Sequence, residues 1–512
     1  MKKNILILIA GLLLLGTSCS KDFLSVNEVN PNTPSKVEAK LVLPAALNAV
    51  AFNMNYPRRF EFTYLWHGLW SVSAGYSQPQ FLVQYKLRNS DYQDAFLSFY
   101  TTAKNFDGIE KGSSDVYYVA IAKIMKAYIF QNLVDCWGDV PYSEAFQAET
   151  GNLKPKYDKQ KDIYENLVVQ LDAAMASIQA APITATAVDP NSDIIYGGDM
   201  GKWLKFANTL KLRILIHQSG MADRATYITD AIATTASIGY IGAGEGALNN
   251  PGYTASFNTV LDNKENPFYG CFYNASGNSN SDGITYYFAG RDAVNYYLAT
   301  ADPRLPKFFQ TCKTADGSDY NGNYFGYDPA DLTSQDSTSK LGYAAGDAGT
   351  MIGTPSKSAP ILTDFESLFI QAEAAQRGLI AGDAKSLYES AVAQSFAYMG
   401  LTGTESANFL TQPNPKVNYT NAPDKLELIV TQKWASLNGV APVEIWTDFR
   451  RTGFPLNLHF SVDAALAGPG TPPVRLLYPQ DEINVNNASV LAAKASQNWV
   501  SEFATKIFWQ NR

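Results

Sequence analysis

The longest periodic stretch of the chain runs from Val116 to Trp137, where Tyr117, Ile121, Ile124 and Tyr128 recur at steps of four, three and four. That spacing lays one apolar stripe along a helix. Asp115 stands at its start, where a carboxylate favours the positive end of the helix dipole. Gly138 stops it and Pro141 cannot continue it. The following Asp135-Cys136-Trp137-Gly138-Asp139-Val140-Pro141-Tyr142 reads as a compact polar and aromatic corner. The same pattern predicts a helix over 35–54, with Val37, Leu41, Leu43 and Leu47 on its apolar side. Others are expected over 91–111, closed by Gly112, and over 160–179, with Ile163, Leu167, Leu171 and Met175 in line.

A further helix pair spans 363–400. Thr363 and Glu366 make a Thr-x-x-Glu capping box, and Phe365, Leu368, Phe369 and Ala372 line one face. Gly378 stops this helix, and Asp383 can cap the next, which ends at Gly400. Helices joined by short turns form antiparallel hairpins, and stacked hairpins build tetratricopeptide-like solenoids. No clean repeat period is visible. The predicted fold class is all-α: tetratricopeptide-like helix pairs as a scaffold, with long irregular loops carrying a binding surface.

Two irregular stretches are rich in aromatics. Residues 62–93 hold Tyr64, Trp66, Trp70, Tyr76, Phe81, Tyr85 and Tyr92 around a Gly75, Ser77, Gln78, Pro79, Gln80 loop. Tyr64 and Trp66, beside His67, fit a helix core, whereas Trp70, Tyr76, Phe81 and Tyr85 flank the loop. Residues 240–362, dominated by Gly, Asn, Ser, Tyr and Pro, contain Phe268, Tyr269, Phe272 and Tyr273. Clusters of this kind mark binding surfaces, although loops also pack. Those eight residues are the candidate contacts.

Composition narrows the function. Of 512 residues, 46% are apolar and 17% charged, which is a globular balance. The 30 tyrosines, 27 phenylalanines and 8 tryptophans suit surfaces that are apolar yet hydrogen-bonding. A net charge of −8 argues against a nucleic-acid partner. The chain has only three histidines, His67, His217 and His459, and no His-Glu-x-x-His, Gly-x-Ser-x-Gly or Cys-x-x-Cys. A glycosidase needs only two carboxylates, and 48 acidic residues do not exclude such a pair. Gly201-Lys202 is no phosphate loop, because Tyr196 and Trp203 occupy the positions that need Gly and Ser or Thr. Asp316, Ser318 and Asp319 lack the closing Glu of a calcium loop and read as a polar turn. No metal or cofactor is expected.

The N-terminus carries an address. Lys2 and Lys3 precede an apolar run from Ile5 to Leu15, then Gly16, Thr17, Ser18 and Cys19. This is a secretory signal over 1–18, too short to span a membrane. Cys19 follows it as in a bacterial lipobox, so it is the expected lipidation site, with a polar tether over 19–34. The remaining Cys136, Cys271 and Cys312 cannot all pair and fit no zinc spacing. A Cys271–Cys312 disulfide and three free thiols both remain open.

The corner Asp135-x-Trp137-Gly138-Asp139-Val140-Pro141-Tyr142-Ser143 resembles the SusD/RagB family of outer-membrane nutrient-binding lipoproteins. So do Asp22-Phe23-Leu24 and Asn30-Pro31-Asn32. Tyr196-Gly-Gly-Asp199, Trp203 through Arg213 and Asp302-Pro303-Arg304 match the same family, as does the segment 320–326. Thr431 to Trp434, Trp446 to Gly453 and Arg475 to Pro479 complete the resemblance near the C-terminus. It implies one SusD-like helical domain over 35–512 with an irregular insert at 240–362, anchored in the outer membrane and facing outward; Ser20-Lys21-Asp22 partly resembles the matching export signal. It also implies a non-enzymatic protein that captures a nutrient, an oligosaccharide above all, as the lid of a SusC-like TonB-dependent transporter. The family's N-terminal region contributes ligand-contacting aromatics, which favours the candidates around the first loop. Oligopeptide capture, a surface glycoside hydrolase and a ligand-free scaffold are the alternatives. Near Arg450, an anion site and a structural ion pair compete, and the ion pair is expected.

Overall fold

The computed structural model describes residues 38–253, 264–274, 277–279, 285–314, 317, 319–327, 333–342, 349–468 and 470–510. The expected signal segment, Cys19 and the tether lie outside the described residues, as do Asp316 and Ser318. Helix α1 (Ala39–Asn55) buries Leu43 and Leu47 as expected, but Leu41 is 63% exposed. After α2 (Glu61–Trp66), β1 (Trp70–Val72) and α3 (Gln80–Val83) come the long helices α4 (Gln93–Gly112) and α5 (Val116–Trp137). They continue as α6 (Gln160–Gln179), α7 (Met200–His217) and α8 (Ala225–Ala233), each of α4 to α7 packed against the next.

The stretch 240–362 is less irregular than its composition suggests. It holds β2 (Ala247–Asn249), α9 (Pro267–Phe272), β3 (Tyr287–Ala289), α10 (Arg291–Ala299), α11 (Leu305–Phe308) and β4 (Ala359–Leu362). Its strands are antiparallel to β1 and to each other: Trp70 pairs with Ala289 and Val72 with Tyr287, while β2 pairs with β4. Helices α12 (Asp364–Gln376), α13 (Ala384–Tyr398), α14 (Gly403–Thr411) and α15 (Lys425–Ser436) follow. The chain then runs through α16 (Pro442–Thr452), α17 (Val462–Ala467), α18 (Gln480–Val485) and α19 (Asn487–Ser496). The fold is mostly helical with paired helices of tetratricopeptide type, as α12 against α13 shows.

Thr363 Oγ1 accepts from the Glu366 amide at 3.1 Å, which is half of the expected capping box. Glu366 gives up the other half, because its carboxylate is buried against Arg213 Nη1 at 2.8 Å. A complete box forms instead at Thr402 and Glu405. Phe369, Ala372, Tyr388, Val392 and Phe396 make a satellite core beneath α12 to α15, beside a much larger main core.

Helix α5 is the axis of the main core. From Ala127 to Trp137 every residue is buried, so its second half has no solvent face and the stripe marks only its start. Burial on all sides forces each polar group to find a partner. Gln131 Oε1 accepts from Arg213 Nη2 at 2.7 Å, Asn132 donates to the Tyr128 carbonyl, and Asp135 accepts from Trp509 Nε1 at 3.0 Å and from the Tyr164 hydroxyl.

The corner after α5 is where the C-terminal segments dock. Gly138 has φ +76°, and a Cβ there would stand 2.9 Å from the Arg475 guanidinium. Arg475 Nη2 donates to the Trp137 carbonyl, and the Leu476 amide donates to the Cys136 carbonyl at 2.8 Å. Among the described residues Arg450 has no carboxylate partner, so the expected ion pair is not made. It donates to the carbonyls of Asp135 at 2.7 Å and Val474 at 2.9 Å and lies 3.7 Å above Trp446. Burial lowers it to about 10. Its neighbour Arg451 is the paired cation, with Glu373 at 2.5 Å and Asp448 at 2.6 Å. The Tyr-Gly-Gly-Asp motif is structural too: Asp193 accepts from the amides of Ile195, Tyr196 and Gly198 and from Trp203 Nε1.

Candidate functional site

The β1–β3 pair carries both aromatic stretches to one end of the fold, but it turns most of the eight candidates inward. Trp70 is fully buried: it stacks on Tyr64 at 4.1 Å, meets Phe268 edge-on, and donates Nε1–H to Asn438 Oδ1 at 2.8 Å. Phe268 and Phe272 are buried beside it, on a helix whose N-cap Asn266 accepts from the amides of Phe268 and Tyr269. Tyr269 and Tyr273 stack on each other at the margin of the core. Tyr85 is fully buried, and its hydroxyl accepts from the Ser461 amide at 3.0 Å. Its role is a strut under the surface. These rings have used their faces on protein, so a flanking loop did not imply exposure. Tyr76 and Phe81 remain accessible, Tyr76 at 36% and Phe81 half-buried.

Around those two the structure gathers side chains that were not among the eight candidate contacts. Tyr76 packs edge-on against the half-buried Tyr286 and hydrogen-bonds Thr285 Oγ1 at 2.7 Å. Gln78 ties the loop to the segment 320–327: its Nε2 donates to the Tyr327 carbonyl at 3.2 Å, and its Oε1 accepts from the Gly326 amide at 3.0 Å. Tyr327 and Tyr324 lie 5.0 Å apart, and the His459 ring is 4.1 Å from Tyr324. Gly326 is the enabling residue, with φ +76° and no room for a Cβ against Ser461. Glycines bracketing Tyr324 were the available signal in the sequence.

Helix α3 separates two clefts. On one side Ser77, Gln78, Gln80, Val83, Tyr327, Asp463 and Leu466 line about 440 Å³. On the other, Phe81 joins Tyr56, Arg58, Arg59, Glu61 and Tyr92 around about 520 Å³. Phe52 and Tyr56 stack at 5.1 Å on this second side. Burial pushes Glu61 up to about 7, against the opposing effects of the Tyr287 hydroxyl, which donates to it, and of Arg58. The Tyr92 hydroxyl is buried in the cleft wall and has no hydrogen-bond partner among the described residues. Cys271 lies beside Arg58, and burial raises its thiol to about 11. Cys136, Cys271 and Cys312 are all free, with no Cys271–Cys312 bridge. Among the described residues no cluster of His, Cys, Asp and Glu could hold a metal ion. Aromatic rings interleaved with amides, hydroxyls and a few charges can stack on CH faces and hydrogen-bond hydroxyls.

Among the described residues no helix is long and apolar enough to cross a membrane. No protein of curated function matches the chain. A SusD homologue from Bacteroides uniformis superposes with a TM-score of 0.73 at 21% identity, over 92% of this chain and 99% of that one. A SusD-like protein from Bacteroides thetaiotaomicron gives 0.72 at 24% identity, over 93% and 99%. A chitin-binding protein gives 0.71 at 23% identity, over 92% and 100%. At these identities the likeness establishes the fold. Residues 31–479 match the SusD-like family model described as "Starch-binding associating with outer membrane". With the match running from residue 31 past the Trp-Gly-Asp corner to Pro479, the chain belongs to the SusD-like family.

Proposed function

We propose that this protein captures an oligosaccharide at the cell surface and delivers it, as a lid, to a SusC-like TonB-dependent transporter, without chemistry of its own. In this reading residues 35–512 act as one body, tethered through 19–34 to a lipid on Cys19 in the outer membrane. The observation that carries it is a set of part-exposed rings drawn from three separate chain segments: Phe81 lines one cleft and Tyr327 the other, Tyr76 packs on Tyr286, and Tyr324 packs beside Tyr327. Accessible aromatic faces framed by Gln78, Gln80 and Asp463 match the alternation of CH faces and hydroxyl edges on a sugar. Family membership and the fold shared with a chitin-binding protein agree with a glycan ligand.

The test is calorimetric titration of the protein lacking residues 1–19 against panels of oligosaccharides and oligopeptides. Heat with a glycan class, lost in a Tyr324→Ala, Tyr327→Ala double variant that melts normally, is the expected result. Heat with peptides alone would transfer the reading to oligopeptide capture.

One group favours a second reading. A carboxyl titrating near 7 in a cleft is what a glycosidase general acid requires, and Glu61 meets that description. New reducing ends released by the purified protein, and absent with Glu61→Gln, would replace capture by hydrolysis.

A further inference from the structure

The accessible face carries a cation that the fold leaves without a counter-charge. Arg291 opens α10 and is half-buried. Its Nε donates to the Gly322 carbonyl at 2.8 Å and its Nη2 to Asn321 Oδ1 at 3.3 Å, both neutral acceptors. The guanidinium lies 5.2 Å from the centre of the Tyr324 ring. Among the described residues no carboxylate pairs with it. The nearest in sequence, Asp292, is committed elsewhere, accepting from the His459 amide at 3.0 Å and from His459 Nδ1 at 2.6 Å.

The backbone holds this arrangement in register. A Cβ at Gly322 would stand 2.6 Å from the Arg291 amide nitrogen, and one at Gly68 would stand 2.6 Å from Asp292 Oδ2. The segment 320–327 is strapped to the start of α10 by Arg291 N to Asn323 O and Asn323 N to Ala289 O, each 3.0 Å. His459 lies against the same tyrosine, and its side chain is 44% exposed. With Nδ1 engaged by Asp292, the ring orientation is fixed and Nε2 remains for a ligand.

Among the described residues this half-buried guanidinium is bonded only to neutral oxygens, and unlike the buried Arg450 it keeps solvent-facing surface from which a charged partner can be met. Its planar fork matches the paired oxygens of a carboxylate or sulfate. We propose that this site selects glycans bearing an oxyanion, a uronate carboxylate or a sulfate, with Arg291 as the anion contact and His459 Nε2 as a second polar contact beside Tyr324. The proposal rests on the capture reading above and names its ligand class. The chain's net charge of −8 does not oppose it, because exposed charges more than about 8 Å away are largely screened at physiological salt.

The experiment is binding of the full chain, in detergent, to an array of matched oligosaccharides that are neutral, uronate-bearing or sulfated, followed by titration of the tightest pair. The expected best ligand is anionic, and comparison of the carboxylate and sulfate arms identifies which oxyanion. Its affinity should fall by about ten-fold in Arg291→Gln, and by less in His459→Gln, and in each variant the anionic ligand should lose several-fold more than its neutral counterpart. Added salt should erode the anionic preference in the wild type but not in Arg291→Gln. A neutral best ligand overturns the proposal and leaves glycan capture standing. Silence across the whole array overturns both. Loss of neutral and anionic binding together with a lowered melting temperature in Arg291→Gln assigns that residue a purely structural role and overturns the proposal as well.

Discussion

The corner after α5 and the face around α3 are built from the same residue types and treat them in opposite ways. At the corner, Trp137, Trp446 and Trp509 are buried, Arg450 spends its donors on main-chain carbonyls, and Arg475 divides its own between the Trp137 carbonyl and the Gln497 side chain. At the face, Tyr76, Tyr286, Tyr324 and Tyr327 keep part of their surface in water, and Arg291, itself only half-buried, has no carboxylate partner among the described residues. Satisfaction makes the corner a fastening between the N-terminal helices and the C-terminal segments. Incomplete satisfaction leaves the face with bonding capacity for a ligand.

The largest break in that comparison is expected at the fastened side. Arg451→Met leaves buried Glu373 with only Arg377 and Asp448 with only Lys433, and should cost about 3 kcal/mol or more in denaturant unfolding. Burial by itself would raise Glu373, yet Arg451 outweighs it and holds the carboxyl at about 2. That contribution is present above the ordinary carboxylate range and is lost as pH falls towards 2, so wild-type stability should drop steeply in acid and the variant's should drop less.

Gly138→Ala comes next. Its φ of +76° and the approach of Arg475 should make the change cost about 1–3 kcal/mol, read as a lower unfolding midpoint with ligand affinity unaltered.

At the face, Glu61 gives a smaller and opposite pH effect. Its folded value of about 7 lies above the unfolded value, so the native state binds the extra proton between roughly pH 4.5 and 7. Stability from this group therefore declines as pH rises through that window. Glu61→Gln should flatten the slope and gain on the order of 1–2 kcal/mol at pH 8 relative to pH 5, measured as the difference between the two unfolding curves.

The helices were legible because periodicity and caps act locally. The line of Ile163, Leu167, Leu171 and Met175 is buried as spaced, and Asp383 caps α13 through the Ser386 amide. Where local signals misled, a long-range partner had won: Glu366 left its capping box for Arg213, and Arg450 took carbonyls from residues 315 and 24 positions away. The candidate face was legible in part. Its loop was visible through Gly75, Pro79 and the aromatics, but whether Trp70 or Tyr76 points outward depends on β3, more than 200 residues later. Composition cannot encode that. Tyr324 lay in the segment 320–326, singled out only for its family resemblance, with Tyr327 just beyond it, and the placing of His459 against Tyr324 shows only once Asp292 is beside it.

The central claim, that binding resides in the half-exposed rings and not in the buried ones first singled out, is tested most directly by measuring glycan affinity and melting temperature together in two variants. Trp70→Ala empties a fully buried site and should lower the melting temperature on the order of 5–10 °C while leaving the affinity of the folded fraction within about two-fold. Tyr324→Ala with Tyr327→Ala should do the reverse, costing about ten-fold or more in affinity with a melting temperature within a degree or two of wild type. Full affinity in the double tyrosine variant, or specific loss of binding in a normally melting Trp70→Ala protein, would contradict the account.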